Sequence, residues 1–194
     1  MHTKLANIAD IRTGFPFRSK VIDDPSGKIA VVQMKDIGDA GRLDPNGYLH
    51  IQEEPAHGRH LLRQGDVLLQ SRGSKFPAAM LETDINGIAA LGLHVLRPGK
   101  EVLPEYLSWV MNHPQIRDSL IGLARGSYIP FLSKADLAEL RVPLPPLATQ
   151  QRIVKVARLE REAARLTDHL KTLREHYTAT ITWNAATRSR KPIP

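Results

Sequence analysis

Three short polar stretches carry the side chains best suited to chemistry. "RTGFPFRSK" (Arg12–Lys20) interleaves Arg12, Arg18 and Lys20 with Phe15 and Phe17. "QSRGSKF" (Gln70–Phe76) presents Gln70, Arg72, Ser74 and Lys75 around a glycine. "ARGSYIPFLSK" (Ala124–Lys134) presents Arg125, Ser127, Tyr128 and Lys134. Arginine and lysine can read guanine O6 and N7, and glutamine can pair with adenine N6 and N7. Serine, lysine and backbone N–H groups can hold phosphates. Glycine lets a backbone come close to a ligand. These are the parts of a nucleic-acid reader. A plainer explanation stands beside it: loops are polar in any case, and Phe15 or Phe17 can simply tie a loop to a core.

Catalytic patterns are missing. No G-x-x-x-x-G-K-[ST] occurs, since "PSGK" (Pro25–Lys28) and "RPGK" (Arg97–Lys100) lack the upstream glycine. There is no H-E-x-x-H, G-x-S-x-G or G-x-G-x-x-G, and no Asn-Pro-Pro-aromatic motif. His57 and His60, three apart in "HGRH", read as a surface pair rather than a metal site, and no metal or cofactor is expected. The acid pairs Asp23/Asp24 and Glu53/Glu54 fall in loop-like stretches where solvation explains them. No catalytic residue is assigned.

Composition narrows the class further. The 194 residues suit one domain, or one domain with an appended element. Absence of cysteine excludes a disulfide scaffold and a thiolate metal site, and fits a reducing compartment. The N-terminus, "MHTKLANIADIRTG", is unlike a signal peptide, and no apolar run is long enough for a membrane span. A soluble cytoplasmic protein is expected. The net charge of +7 invites nucleic acid as a partner. It is unevenly placed: residues 1–146 hold 17 Lys/Arg against 16 Asp/Glu, and residues 147–194 hold 10 against 4.

The elements that would position the loops are mixed. "KIAVVQM" (Lys28–Met34), "GDVLLQS" (Gly65–Ser71) and "GIAALGLHVLRPG" (Gly87–Gly99) read as strands, with "YLHI" (Tyr48–Ile51) as a short edge strand. Pro104–Asn112 and Pro114–Leu123 read as helices opened by proline. "SKADLAEL" (Ser133–Leu140) has an N-cap serine with an acid three residues on. "RVPLPPL" then returns to extended chain, because proline drives its predecessor out of the α region.

After Pro146 the pattern changes. Thr149 to Ala186 contain neither proline nor glycine, enough for a helix roughly 55 Å long. Val156, Leu159, Ala163, Leu166, Leu170, Leu173 and Tyr177 are spaced alternately three and four apart, a heptad seam. So narrow a stripe needs a partner helix, and folding back on its own domain is the second choice. The expected fold is α+β. A globular domain at 1–146 has a twisted mixed sheet and flanking helices. One long coiled-coil helix at 147–187 and a basic tail at 188–194 follow.

Taken together, these residues resemble the specificity (S) subunit of type I restriction–modification systems. The matching pieces are "IADIRTGFPFRSK", "VVQMKDI", "LRQGDVLLQSRGS", "LHVLRPG", "LPEYLSWVMN" and "GSYIPFLSKADLAELRVPLPPLATQQRIV", followed by a helix. The block from Gly126 to Val154 is the most specific. The resemblance covers residues from about 5 to 180.

The resemblance implies a target recognition domain that reads one half of a bipartite site on double-stranded DNA. It also implies a spacer helix, no catalysis by the S chain, and a role in phage defence. Methylation would come from methyltransferase (M) subunits using S-adenosylmethionine, and cleavage from a restriction (R) subunit joined through the complex. Full subunits carry two such units in tandem. Here there is one recognition domain and one helix, without an internal repeat, so a half-length form is expected to pair as an antiparallel homodimer on a palindromic bipartite site. Expected DNA contacts are Arg12, Arg18, Lys20, Gln33, Lys35, Gln70, Arg72, Ser74, Lys75, Arg125, Ser127 and Tyr128, with most weight on Arg18, Lys20, Arg72 and Lys75. "QMKD" (Gln33–Asp36) and Gly126–Ser127 recur in the family, as scaffold or phosphate-holding positions would. The alternative is an assembly protein derived from such a subunit, without its own DNA specificity.

Overall fold

The computed structural model describes residues 2–38 and 41–188, so the last six residues of the expected basic tail lie outside the described residues. Two compact units divide the chain, residues 1–154 and 155–194. The first opens with β1 (His2–Lys4), α1 (Leu5–Ile8), β2 (Ala9–Thr13), β3 (Ile29–Val32) and β4 (Leu49–Ile51). It continues through β5 (Val67–Gln70), β6 (Ala78–Met80), β7 (Gly87–Ala89) and β8 (Leu93–Pro98). Then come α2 (Pro104–Asn112), α3 (Pro114–Leu123), α4 (Lys134–Glu139), β9 (Arg141–Pro143) and the long α5 (Leu147–Arg188).

The expected α+β architecture is present, with the strands shared among three sheets. The largest runs β2-β8-β5-β6 and is antiparallel throughout. A second runs β4-β3-β7, with β3 antiparallel to β4 and parallel to β7. The third is the pair β1-β9, which joins the N-terminus to the proline-rich stretch.

Burial on both faces explains the unbroken apolar sequence of β5. Val67 and Leu69 pack into a core with Leu96, Tyr106, Leu107, Val110 and Met111, on the α2 side of the large sheet. Leu68, between them, points into a second core with Val32, Ala89, Leu93 and Val95. A strand covered on both sides has no polar face to show. Ile29, Val31 and Ile88 form a third core on the smaller sheet, closed from outside by Phe15, Phe17 and Leu61.

Local chemistry sets the helix starts. Pro104 and Pro114 open α2 and α3, where a missing N–H is no loss. Ser133 caps α4 by accepting from the Asp136 N–H at 3.1 Å. At the start of α5, Gln150 is fully buried. Its side-chain oxygen accepts from the Leu103 N–H at 2.9 Å, and its amide donates to the Glu101 and Pro145 carbonyls at 2.9 and 2.8 Å. Tyr106 donates its hydroxyl to the Pro143 carbonyl at 2.9 Å. The first two turns of α5 thus belong to the first unit's core, with Ile153 and Val154 packed against it.

In the second unit, α5 is helical through Arg188 and exposes its seam. Val156, Leu159, Ala163, Leu166, Leu170, Leu173 and Tyr177 are all open to solvent, as are Ile181 and Trp183 further along. No helix among the described residues is long and apolar enough to cross a membrane.

Candidate nucleic-acid interface

One end of the large sheet collects most of the predicted contact residues. The last residue of β2, Thr13, pairs with His94, and the last residue of β5, Gln70, pairs with Leu93. From there the chain is tied by backbone bonds. Gly14 N–H donates to Leu93 O at 2.8 Å, Ser71 N–H to Gly92 O at 2.8 Å, and Leu91 N–H to Phe15 O at 2.9 Å. Gly14 must be glycine, because a Cβ there would lie 2.0 Å from the Ala90 carbonyl oxygen.

The loop after β5 is paired in turn with the loop after α3. Leu132 N–H donates to Ser71 O at 2.8 Å, and Gly73 N–H to Pro130 O at 2.9 Å. Arg125 and Phe131 exchange both backbone bonds, at 2.9 and 2.8 Å, closing a small hairpin. Its tip projects Ser127, Tyr128 and Ile129 into solvent, with Tyr128 94% exposed. Phe76 is buried and takes a left-handed backbone (φ 45°), anchoring the loop that carries Arg72, Ser74 and Lys75. Arg117 donates to the Lys75 carbonyl at 3.0 Å and steadies the same loop.

The predicted residues differ in exposure and in the contacts that hold their loops. Arg72, Ser74 and Lys75 are exposed on the paired loops, with Ser127 and Tyr128 beside them. Lys35 is exposed on the 34–36 turn, which Gln70 ties in by donating its amide to Met34 O at 2.8 Å. That donation engages Gln70 internally. Gln33 is half-buried, and its N–H donates to the Asp36 carboxylate at 2.8 Å. Asp36 is itself buried, and burial raises its pKa. The "QMKD" stretch therefore builds a turn, with Lys35 as its outward group. Arg12 lies half-buried on β2 with its guanidinium on Asp10 at 2.7 Å. Arg125 reaches Asp136 at 2.7 Å, and Asp136 is held below the usual carboxylate range by the Ser133 hydroxyl and then by Arg125. Arg18 and Lys20 are exposed on the crossing from β2 to β3, and among the described residues no hydrogen bond ties them to the other loops.

Some neighbours follow the plainer explanations. Phe15 and Phe17 pack together, centroids 4.9 Å apart, on the third core. By contrast, His57 and His60 are not the surface pair expected: His57 is buried and His60 half-buried, their rings set edge-on to Phe15 at 5.0 and 5.2 Å in the packing around the third core. No group of three or more metal-ligating side chains exists among the described residues.

Residues unforeseen from sequence brace the two ends of the large sheet. His94 is buried at the sheet end, its Nε2 2.9 Å from the Leu132 carbonyl, while Nδ1 makes no hydrogen bond. At the opposite end of the same strands, Asp66 takes a two-pronged pair from Arg97 at 2.6 and 2.7 Å and a third bond from the Arg63 N–H. "GD" before β5 and "RPG" after β8 are the only sequence signals of that pair, and neither links the two strands by itself.

The fold is one already seen in restriction–modification specificity subunits. The chain superposes with a TM-score of 0.59 on the HsdS subunit from Thermoanaerobacter tengcongensis, at 21% identity over 86% of this chain and 38% of that one. A chain from a study of type I R-M complex assembly and conformational transition gives 0.61, at 23% identity over 89% and 43%. The type I S subunit from M. genitalium gives 0.58, at 16% identity over 91% and 44%. This chain thus spans about two fifths of the length of those structures. Residues 1–169 match the family described as type I restriction modification DNA specificity domain, and the chain belongs to that family. A comparison with curated proteins gives no match.

Proposed function

We propose that this chain is a non-catalytic specificity subunit that reads one half of a bipartite DNA site. Residues 1–146 are the reading domain and residues 147–187 the spacer helix. The observation that carries this is the sheet end described above, where Arg72, Ser74, Lys75, Ser127, Tyr128 and Lys35 stand exposed on loops braced against each other. Arg18 and Lys20 add cations on the neighbouring crossing. Gln33, Gln70 and Arg125 support those loops, and Arg12 pairs with Asp10 on β2; these four reach DNA where they exchange that internal partner for it. Such a surface offers charge for phosphates and donors for base edges.

In this reading the subunit docks a methyltransferase subunit, and a restriction subunit joins through the complex. It needs no cofactor of its own and works in the cytoplasm beside its DNA. A second copy pairs through the exposed seam of α5, giving two identical readers on a palindromic bipartite site. The test is DNA binding by the complex with the M subunit, comparing wild type with Arg72→Ala/Lys75→Ala. The variant should bind more weakly and lose about two from the slope of log affinity against log salt. Unchanged affinity and slope would remove this loop from the interface.

A further inference from the structure

Resting on the homodimer reading, the charge pattern beside the seam of α5 fixes how two copies align. Seven exposed apolar residues from Val156 to Tyr177 define the a and d positions of the heptad. The flanking e positions are Glu160, Thr167, Arg174 and Ile181, and the g positions are Lys155, Glu162, His169, His176 and Trp183. When two such helices run antiparallel, a meets d, e meets e and g meets g. Only a few registers keep the seam together, and they bring different charges face to face.

We infer that two copies pair antiparallel with the two-fold axis beside Asp168, stacking Leu166 on Leu170, Ala163 on Leu173 and Leu159 on Tyr177 of the second copy. This register sets Glu160 against Arg174 and Glu162 against His176 of the second copy, each pairing occurring twice by symmetry. Thr167 and His169 meet their own symmetry mates at the axis. Trp183, exposed and outside the seam, comes opposite Lys155, a cation beside an indole. Sliding by one heptad, with the axis between Ala164 and Arg165, keeps a histidine (His169) opposite Glu162 but loses the other pairings. Glu160 then faces Thr167, and Lys155 faces His176, basic against basic. In a parallel pair e meets g: Lys155 finds Glu160, but Glu162 falls against Thr167 and His169 against Arg174, so only one glutamate is satisfied. One register alone satisfies both glutamates and gives the outlying tryptophan a partner. The partner is therefore a second copy of this chain in a defined register.

The test uses the full chain with Glu160→Arg and Arg174→Glu made separately, and self-association measured by sedimentation at low salt. Wild type should dimerise at micromolar concentration. Each variant turns the paired attraction into repulsion and should self-associate about tenfold more weakly, as exposed pairs allow. An equimolar mixture of the two variants should recover wild-type strength. In the mixed dimer one chain is basic at both positions and the other acidic at both, so each of the two pairings again joins opposite charges. If Arg174→Glu associates as tightly as wild type or more so, the register is wrong while the homodimer stands. If wild type itself is a monomer at micromolar concentration, the homodimer reading fails and this inference fails with it.

Discussion

His94 shows how a single side chain can tie one end of the large sheet to the loop after α3 and make that tie sensitive to pH. Burial pushes its pKa below the usual 6.5, against the pull of the Leu132 carbonyl. In the unfolded chain the ring takes its proton at ordinary pH, while in the folded chain it resists. Between those two pKa values the unfolded state binds more protons, so stability falls as pH drops below about 6.5. His60 is shifted the same way, by burial first and then by Arg59, and adds to the slope. Urea midpoints at pH 7.5 and 5.5 should therefore differ, with the lower value at pH 5.5. His94→Gln keeps a donor for Leu132 and should flatten this slope without abolishing it; an unchanged slope would mean the ring does not resist protonation. At this scale the sequence was only partly legible. "LHVLRPG" announces a strand through its alternation, yet nothing local says that His94 meets Leu132, 38 residues away. Arg72 and Lys75 were legible as exposed cations because a glycine-containing polar loop rarely buries them. Gln70 and Gln33 were legible only as polar, because their partners Met34 and Asp36 depend on where the 34–36 turn lands.

Elements were legible where local chemistry decides them. The helices α2 and α3 run over the residues that proline and apolar spacing indicate, and Ser133 caps α4 as the serine–acid spacing suggests. β1 and β9 escape such reading, because three-residue strands gain their structure only by pairing with each other across the whole domain. The junction into α5 was legible in outline. Its prolines remove donors and restrict φ, but the grip comes from Gln150. Three hydrogen bonds converge on that one amide, and none is visible from sequence. Gln150→Ala removes the partner of the Leu103 N–H and of two carbonyls around a fully buried side chain, and should cost about 3 kcal/mol. Thermal unfolding would read the loss as a lowered midpoint. Gln150→Glu keeps the acceptor for Leu103 but brings a carboxylate toward two carbonyl oxygens, so it should be no better than alanine. If both variants melt with wild type, the proline geometry alone sets the junction.

At the scale of the whole molecule, the two units draw on different sources of stability. The first unit has three apolar cores and a buried ion pair between Asp66 and Arg97, so its folding is its own affair. From Lys155 onward α5 has no comparable core. Its large apolar side chains, from Val156 to Trp183, are exposed. Isolated helices are marginal in water, and a long one gains most of its stability from packing an apolar face. Under the homodimer reading that packing comes from the second copy, so the helical content of residues 155–188 should depend on protein concentration. Dilution from micromolar to nanomolar should reduce the helical circular dichroism signal. The first unit should not respond, because its stability involves no second chain. Tyr106 and Trp109 lie with ring centroids 5.6 Å apart inside that unit, and in a Tyr177→Phe/Trp183→Phe background, which removes the aromatic reporters of α5, their near-ultraviolet signal should hold constant through the same dilution. Leu166→Asp/Leu170→Asp places carboxylates in the central layers. It should bring the helical signal of concentrated protein down to the dilute value while leaving the aromatic signal intact. Should wild type keep its full helical signal at nanomolar concentration, the helix owes its stability to something other than a second copy.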